Sequence, residues 1–144
     1  MTLVLPLLAY GWLASAQAPV PCPKDQSAPM FSEILTDEAT MDAFLTRLQR
    51  ALAAGDKQTV AAMVRYPASA FAGKRYARFR NSAALIASYD LVFTTALKRT
   101  IAEARTPCLF INSKGAMIHN GEIWIQPSPD GDLQIIAINN AAPK

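Results

Sequence analysis

SKGAMIHNGEIWIQ, residues Ser113–Gln126, contains two short apolar runs joined by Asn120-Gly121. An Asn-Gly pair in this setting predicts a two-residue β-hairpin of type I′, because that turn needs positive φ at both central residues. The resulting register pairs His119 with Glu122, and alternation along the strands gives the hairpin two different sides. The predicted core side carries Ala116, Ile118, Ile123 and Ile125, and the opposite side carries Met117, His119, Glu122, Trp124 and Gln126.

The last third of the chain is predicted to be an antiparallel meander built on this hairpin. Its strand-like runs are CLFIN, AMIH, EIWIQ and LQIIAIN, separated by turn residues. Earlier in the chain, KRYARFR (Lys74–Arg80) alternates as a further strand, with Tyr76, Arg78 and Arg80 on the side opposite Phe79.

Helical signals precede the meander. Thr36 is a predicted N-cap, and apolar residues at helical spacing follow it until Gly55 ends the first helix. Asp56 is then placed to cap a second helix. A broad apolar stripe from Asn81 or Ser82 to about Ala104 predicts one long helix. Helices followed by a meander indicate an α+β fold, with N-terminal helices and one long helix packed on an antiparallel sheet.

The first residues have the pattern of a secretory signal peptide. An apolar run too short to span a bilayer is followed by small residues, which predicts a signal at residues 1–16 with cleavage after Ala16 or, alternatively, Ala18. An extended proline-rich arm is expected at 17–35 and a single α+β domain at 36–140. The processed protein is thus expected to be periplasmic or secreted, with no transmembrane segment.

Two cysteines remain after that cleavage, Cys22 and Cys108. Because export leads to an oxidising compartment, we expect them to form a disulfide that ties the arm to the start of the meander. Neither cysteine belongs to a C-x-x-C motif, so a redox-active role is not expected.

The charge of the chain is +3 and unevenly distributed. Six basic residues lie between Lys57 and Arg80, and no acidic residue occurs between Asp56 and Asp90. Such a run is typical of a solvated face, and it also suits an anionic ligand, a lipid surface or an acidic protein. A nucleic-acid partner is not expected from so small an excess in an exported domain.

Three segments, FLTRLQRALAAGDKQTVAAMVRYP, SYDLVF and GAMIHNGEIWI…IIAIN, resemble small exported bacterial domains of the nuclear-transport-factor-2-like (cystatin-like) superfamily. The resemblance covers roughly residues 44–139. It implies a curved sheet wrapped around helices, forming a cone. Members of the superfamily include isomerases, hydrolases and binding modules, so the resemblance does not select an activity, and no catalytic residue is carried over from it.

Two sets of polar residues are candidates for a site. His119 and Glu122 could act together as a general base, or they could be an ordinary cross-strand pair beside the turn. Asp90 lies at the margin of the long apolar stripe, where we expect partial burial with Arg65, Arg75 or Arg78 as its partner, or else contact with a ligand.

These observations lead to three functional hypotheses. The leading one is an exported, non-enzymatic binding module whose concave sheet face holds a small or peptide-like ligand or a protein. Trp124 and Tyr76 would supply apolar contacts there, and Arg78, His119 and Glu122 would fix polar groups. The alternatives are a small isomerase or hydrolase using acid–base residues, and an inhibitor or immunity-like protein acting through GKRYARFR. No cofactor motif is present, and one histidine without a thiolate pair gives too few metal ligands. The protein is expected to be a monomer or homodimer.

Overall fold

The computed structural model describes residues 21–22 and 29–141 and confirms the α+β class. The predicted signal peptide lies outside the described residues. Five α-helices span Glu38–Ala54 (α1), Lys57–Ala62 (α2), Ser82–Ala87 (α3), Tyr89–Val92 (α4) and Thr95–Ala102 (α5). Six strands span Ala68–Ala72 (β1), Arg75–Phe79 (β2), Phe110–Asn112 (β3), Gly115–Ile118 (β4), Ile123–Pro127 (β5) and Leu133–Ile138 (β6).

Capping residues mark where the first two helices begin and where α1 ends. The N-cap of α1 is Asp37, one residue after the predicted Thr36, and its carboxylate accepts a hydrogen bond from the Thr40 amide. Gly55 ends α1 with a φ of 66°, a backbone conformation that costs glycine little. The side chain of Asp56 then accepts from the Thr59 amide and begins α2.

The predicted single long helix is wrong, because three short helices, α3, α4 and α5, occupy that region. Ser88 separates α3 from α4. Thr94 has an extended backbone, and its hydroxyl accepts a hydrogen bond from the Leu97 amide, so α5 begins there as a new helix. The apolar stripe continues across these breaks, since Leu85, Val92 and Leu97 are all buried.

The four strands of the meander form one antiparallel sheet in the order β3-β4-β5-β6. The predicted register is confirmed, with Ile118 opposite Ile123 and Met117 opposite Trp124. The turn type is different: positive φ occurs at His119 and Gly121, and the Gly121 amide donates to the carbonyl of Ile118. The turn therefore begins one residue earlier than in the type I′ prediction, at Ile118 instead of His119.

A β-bulge in β6 accounts for its burial pattern. Ile135 opposes Ile125 and Ala137 opposes Trp124, so Ile136 is the extra residue. A bulge resets the alternation of side chains, and this is why Ile135 and Ile138, three positions apart, are both buried.

A second sheet consists of the β1–β2 hairpin, of which only β2 is predicted by the sequence pattern. β1 pairs with β2 in an antiparallel register with Phe71 opposite Tyr76. Close by, residues 63–65 pair in parallel with β6 through hydrogen bonds between the Arg65 amide and the Ile135 carbonyl and between the Ile135 amide and the Met63 carbonyl. β1 itself packs next to β6.

Helices and sheets share one hydrophobic core. The predicted core side of the central hairpin is confirmed, because all four of its side chains are fully buried. They belong to the same buried cluster as the apolar face of α1, which includes Met41, Leu45 and Leu48. Burial of this kind supplies the main favourable free energy of folding.

The segment preceding α1 differs from the predicted extended arm. Phe31–Ile34 is a 3-10 helix, and Phe31 and Ile34 are buried in the core, because anchoring these two apolar side chains requires a compact turn. The predicted disulfide between Cys22 and Cys108 is formed, which is typical of an oxidising, extracytoplasmic environment. Within residues 21–22 and 29–141, no helix has both the length and the apolar character needed to cross a bilayer.

Candidate functional site

Asp90 and Glu122, two of the predicted site residues, line the same cleft, which we call the Asp90 cleft. Its volume is about 560 Å³, within the range common for small-molecule sites. Phe71 of β1, Leu91 of α4 and Leu97 of α5 provide apolar surface, and segment 139–141 after β6 closes one side. The cleft therefore lies among elements that are far apart in sequence.

Asn140 fixes one wall of the Asp90 cleft. Its Oδ1 accepts from the Phe71 amide at 2.8 Å, and its Nδ2 donates to the carbonyls of Phe71 at 2.8 Å and Val92 at 2.9 Å. The Asn140 side chain thus makes hydrogen bonds with the outer edge of β1 that a neighbouring strand could otherwise make, and it also links β1 to α4. The Gly73 amide, which donates to the Leu91 carbonyl, adds a further link.

Asp90 has a different partner and a different exposure from those predicted. Its Oδ2 lies 2.7 Å from Lys57 Nζ, and 74% of its side chain is exposed. Arg65 instead contacts Gln134 and the carbonyl of Pro127, because its segment is bound to β6. The hydrogen bond from Lys57 lowers the pKa of Asp90, and the charges of Lys57 and Lys98 act in the same direction. Asp90 is therefore an ionised, accessible acceptor.

The Lys57 ammonium also lies over the ring of Tyr89, 5.2 Å from its centroid. Tyr89 is buried against Phe93, and its hydroxyl forms no hydrogen bond in the described part of the chain. Burial raises the pKa of Tyr89, and the charges of Asp90 and Asp56 add to that effect. The phenol is therefore neutral at physiological pH and serves as packing beneath the Lys57–Asp90 pair.

His119 and Glu122 form the predicted pair, with Nδ1 and Oε1 2.8 Å apart. The second oxygen of Glu122 accepts from the Asn120 amide at 2.8 Å. Burial would raise the pKa of Glu122, but the hydrogen bonds from His119, from its own amide and from the Asn120 amide, together with the His119 charge, lower it. Both carboxylate oxygens are thus engaged within the turn, which is the structural role expected of a cross-strand pair.

Trp124, Tyr76 and Arg78 lie outside the lining of the Asp90 cleft. Trp124 is half-buried beside Met117 on β4, next to Gly121. Tyr76 is 68% exposed and packs edge-on against Phe71, with ring centroids 5.3 Å apart. Arg78 is exposed two residues further along β2. The six candidates therefore separate into three places: the cleft, the central hairpin and the β2 strand.

Several residues of the cleft carry no pattern that identifies them in the sequence. Leu97 appears there only as a member of an apolar stripe, Leu91 lies outside that stripe, and Phe71 lies in a strand that was not predicted. The pair Asn139-Asn140 directly after the last strand is the one available signal, because asparagine side chains readily bind nearby main-chain groups.

No protein-family model, curated protein or solved structure matches this chain. Among the residues that the structure describes, there is no group of three or more His, Cys, Asp or Glu side chains placed to hold a metal ion. The function must therefore be argued from the geometry of the site.

Proposed function

We propose that the protein is an exported, non-enzymatic binding module that holds a small or peptide-like ligand in the Asp90 cleft. The observation that carries the proposal is the convergence of oppositely charged groups and apolar surface on one concavity. Lys74 and Asp90 line it together with Phe71, Leu91 and Leu97. A few polar groups on a mainly apolar surface are typical of ligand sites.

The polar groups that remain available indicate the kind of ligand. The Asn140 amide is fully used by main-chain partners, the Asn139 amide donates to the Gly121 carbonyl, and the Glu122 carboxylate is occupied. Asp90 Oδ1 and the Lys74 ammonium form no hydrogen bond with any residue in the described part of the chain. A ligand with both a donor and an acceptor, joined by an apolar body, would satisfy them, and a short peptide or amino-acid derivative has these features.

Binding is favoured over acid–base catalysis by the state of the two carboxylates. The pKa values of Asp90 and Glu122 both lie below their usual values, so each is a weak proton acceptor at neutral pH. The superfamily resemblance, with its many binding members, is compatible with this proposal, as is a periplasmic or secreted location after signal-peptide removal.

The proposal can be tested by filling the cleft. Ala96 lines the cleft from α5 and is exposed, whereas Ala102 is exposed on another face of the same helix. Wild-type protein is equilibrated with an extract of its compartment and analysed by native mass spectrometry. It should retain a small molecule, and the mass of that molecule should not change with time. Ala96→Trp should lose this molecule and Ala102→Trp should keep it. Equal retention by both variants would contradict the cleft as the site, and a changing ligand mass would indicate an enzyme.

Asp90 offers a second test of the same site. Because its side chain is mostly exposed, Asp90→Asn should leave the urea midpoint unchanged, since surface ion pairs contribute little to stability. It should nevertheless weaken binding of the captured molecule. A lowered midpoint with unchanged binding would instead assign Asp90 a purely structural role.

A further inference from the structure

The outer edge of β2 has main-chain groups that form no hydrogen bond with any described residue. Asn140 binds the amide and carbonyl of Phe71, so these groups point away from β2. Phe71 opposes Tyr76, and the two residues of such a non-hydrogen-bonded pair direct their main-chain groups to opposite outer edges. The amide and carbonyl of Tyr76, and by alternation those of Arg78, therefore face outward. In the described part of the chain they form no hydrogen bond.

The same edge is strongly basic. Lys74, Arg75, Arg78 and Arg80 are all exposed, and none of them forms an ion pair or side-chain hydrogen bond with another described residue. We call β2 with these four side chains the basic edge. Lys57 and Arg65, the other two cations of the run, are already engaged by Asp90 and by Gln134.

We propose that the basic edge binds an extended, acidic segment of a partner protein, which adds to β2 as a further strand. Unpaired edge groups are a template for strand addition, and alternate side chains of the incoming strand provide specificity. Tyr76, Arg78 and Arg80 lie on one side of this edge. The partner segment therefore carries carboxylates at alternate positions, facing Arg78 and Arg80, and an apolar residue against the Tyr76 ring.

A second copy of this chain does not fit the same edge. Pairing β2 with β2 would bring two sets of four exposed cations together along one strand pair, and like charges close to each other across strands destabilise the pair. Charge complementarity selects an acidic strand instead. The basic edge shares Lys74 with the Asp90 cleft, but Tyr76 and Arg78, whose outward main-chain groups carry this inference, do not line that cleft.

The experiment uses the full mature chain and a labelled peptide of alternating glutamate and threonine, roughly eight residues long, enough to span a typical strand. One terminal glutamate is replaced by leucine so that an apolar residue can face Tyr76. Hydrogen exchange measured by NMR should show new protection of the Tyr76 and Arg78 amides on peptide binding. The Ala77 and Phe79 amides, which face β1, should change little. The same peptide N-methylated at alternate backbone nitrogens retains its charge and should not give this protection.

Charge reversal provides the matched variants. Arg78→Glu should weaken peptide binding roughly tenfold at low salt, because it replaces cross-strand attraction by repulsion. Arg50→Glu makes the same change at an exposed residue of α1 and should alter binding less than about twofold. Ala96→Trp, which fills the cleft, should leave peptide binding unchanged, so failure of one proposal does not imply failure of the other.

Three results would overturn the inference. Equal binding of the N-methylated peptide would mean that charge alone holds it. Absence of binding would mean that the charges only protect the edge from unwanted pairing. Association with phosphatidylglycerol vesicles, without protection of the Tyr76 and Arg78 amides by the peptide, would assign the surface to a membrane.

Discussion

Removing the Asn140 side chain should destabilise the protein far more than removing an ordinary polar side chain from its surface. Asn140→Ala eliminates three hydrogen bonds, two to the main chain of Phe71 and one to the carbonyl of Val92. A hydrogen bond contributes about 1 kcal/mol net, and a desolvated group left unpaired costs about 1–3 kcal/mol. Because these groups are only partly buried and water can replace some of the bonds, we expect a loss of about 2–4 kcal/mol.

The assay is urea unfolding followed by circular dichroism, with the midpoint interpreted at constant m-value. Asn120→Ala is the matched control, because Asn120 is exposed in the hairpin turn and its side chain forms no hydrogen bond with any described residue. Its effect should remain within about 0.5 kcal/mol. A loss for Asn140→Ala no larger than for the control would refute the view that this side chain secures β1.

Asn140→Asp tests the direction of the amide. The change keeps the acceptor for the Phe71 amide but places an oxygen where Nδ2 faces two carbonyls. Repulsion from them should raise the pKa of the introduced carboxyl in the folded state above its unfolded value. The stabilisation by the protonated carboxyl is then fully present below the unfolded pKa of about 3.9, and the unfolding free energy falls as the pH rises through the folded pKa. Stability of Asn140→Asp that does not depend on pH would contradict the assigned orientation.

Three further predictions concern other parts of the fold. Replacing Cys22 and Cys108 together by alanine should lower the unfolding free energy by about 4–5 kcal/mol, the chain-entropy value for a sequence separation of 86. If calorimetry shows a decrease below about 1 kcal/mol, the disulfide does little to restrict the unfolded chain. For Glu122→Gln, the loss of stability should be largest near neutral pH and should disappear as the pH falls below 4.5 through the lowered folded pKa of Glu122. Urea titrations at about pH 7 and pH 3 measure this, and an equal loss at both would exclude the ionised Glu122 carboxylate as its cause. Gly115→Ala should lower the unfolding free energy by more than about 2 kcal/mol, because the new Cβ would collide with a main-chain oxygen of β5. Gly55→Ala should lower it by about 1 kcal/mol, because Gly55 also has positive φ but open space around it. Similar urea midpoints for these two variants would contradict the collision argument.

Helix boundaries that depend on a single capping residue could be predicted from the sequence. Asp56 and Gly55 mark the junction between α1 and α2, since a side-chain cap and a left-handed glycine are local in their effect. The register of the central hairpin was also predictable, because a shift by one residue would expose its four buried side chains. The turn type was not, since a four-residue connection with His119 at positive φ satisfies the same register.

The break between α4 and α5 and the Asp90 cleft required information from distant residues. Apolar periodicity continues through Thr94, where the hydroxyl cap starts α5. The preceding helix α4 contacts β1, and its Val92 carbonyl accepts a hydrogen bond from Asn140, which lies 48 residues further along the chain. The position of Asp90 beside that stripe suggested burial, whereas in the first turn of α4 its side chain is exposed and pairs with Lys57. Contacts between sequence-distant residues therefore determine the site.

The β1–β2 hairpin joins the two proposed surfaces and explains their different requirements. Along β1, main-chain groups are bound by Asn140, and Phe71 forms part of the cleft wall. Along β2, the outward main-chain groups of Tyr76 and Arg78 form no hydrogen bond with any described residue and lie among exposed cations. Substitutions on the closed edge should therefore change stability and ligand binding together, because they move the wall of the cleft. Substitutions of Arg75, Arg78 and Arg80 on the open edge should change binding of a partner alone, because none of the three lines the cleft or forms an ion pair or side-chain hydrogen bond with another described residue.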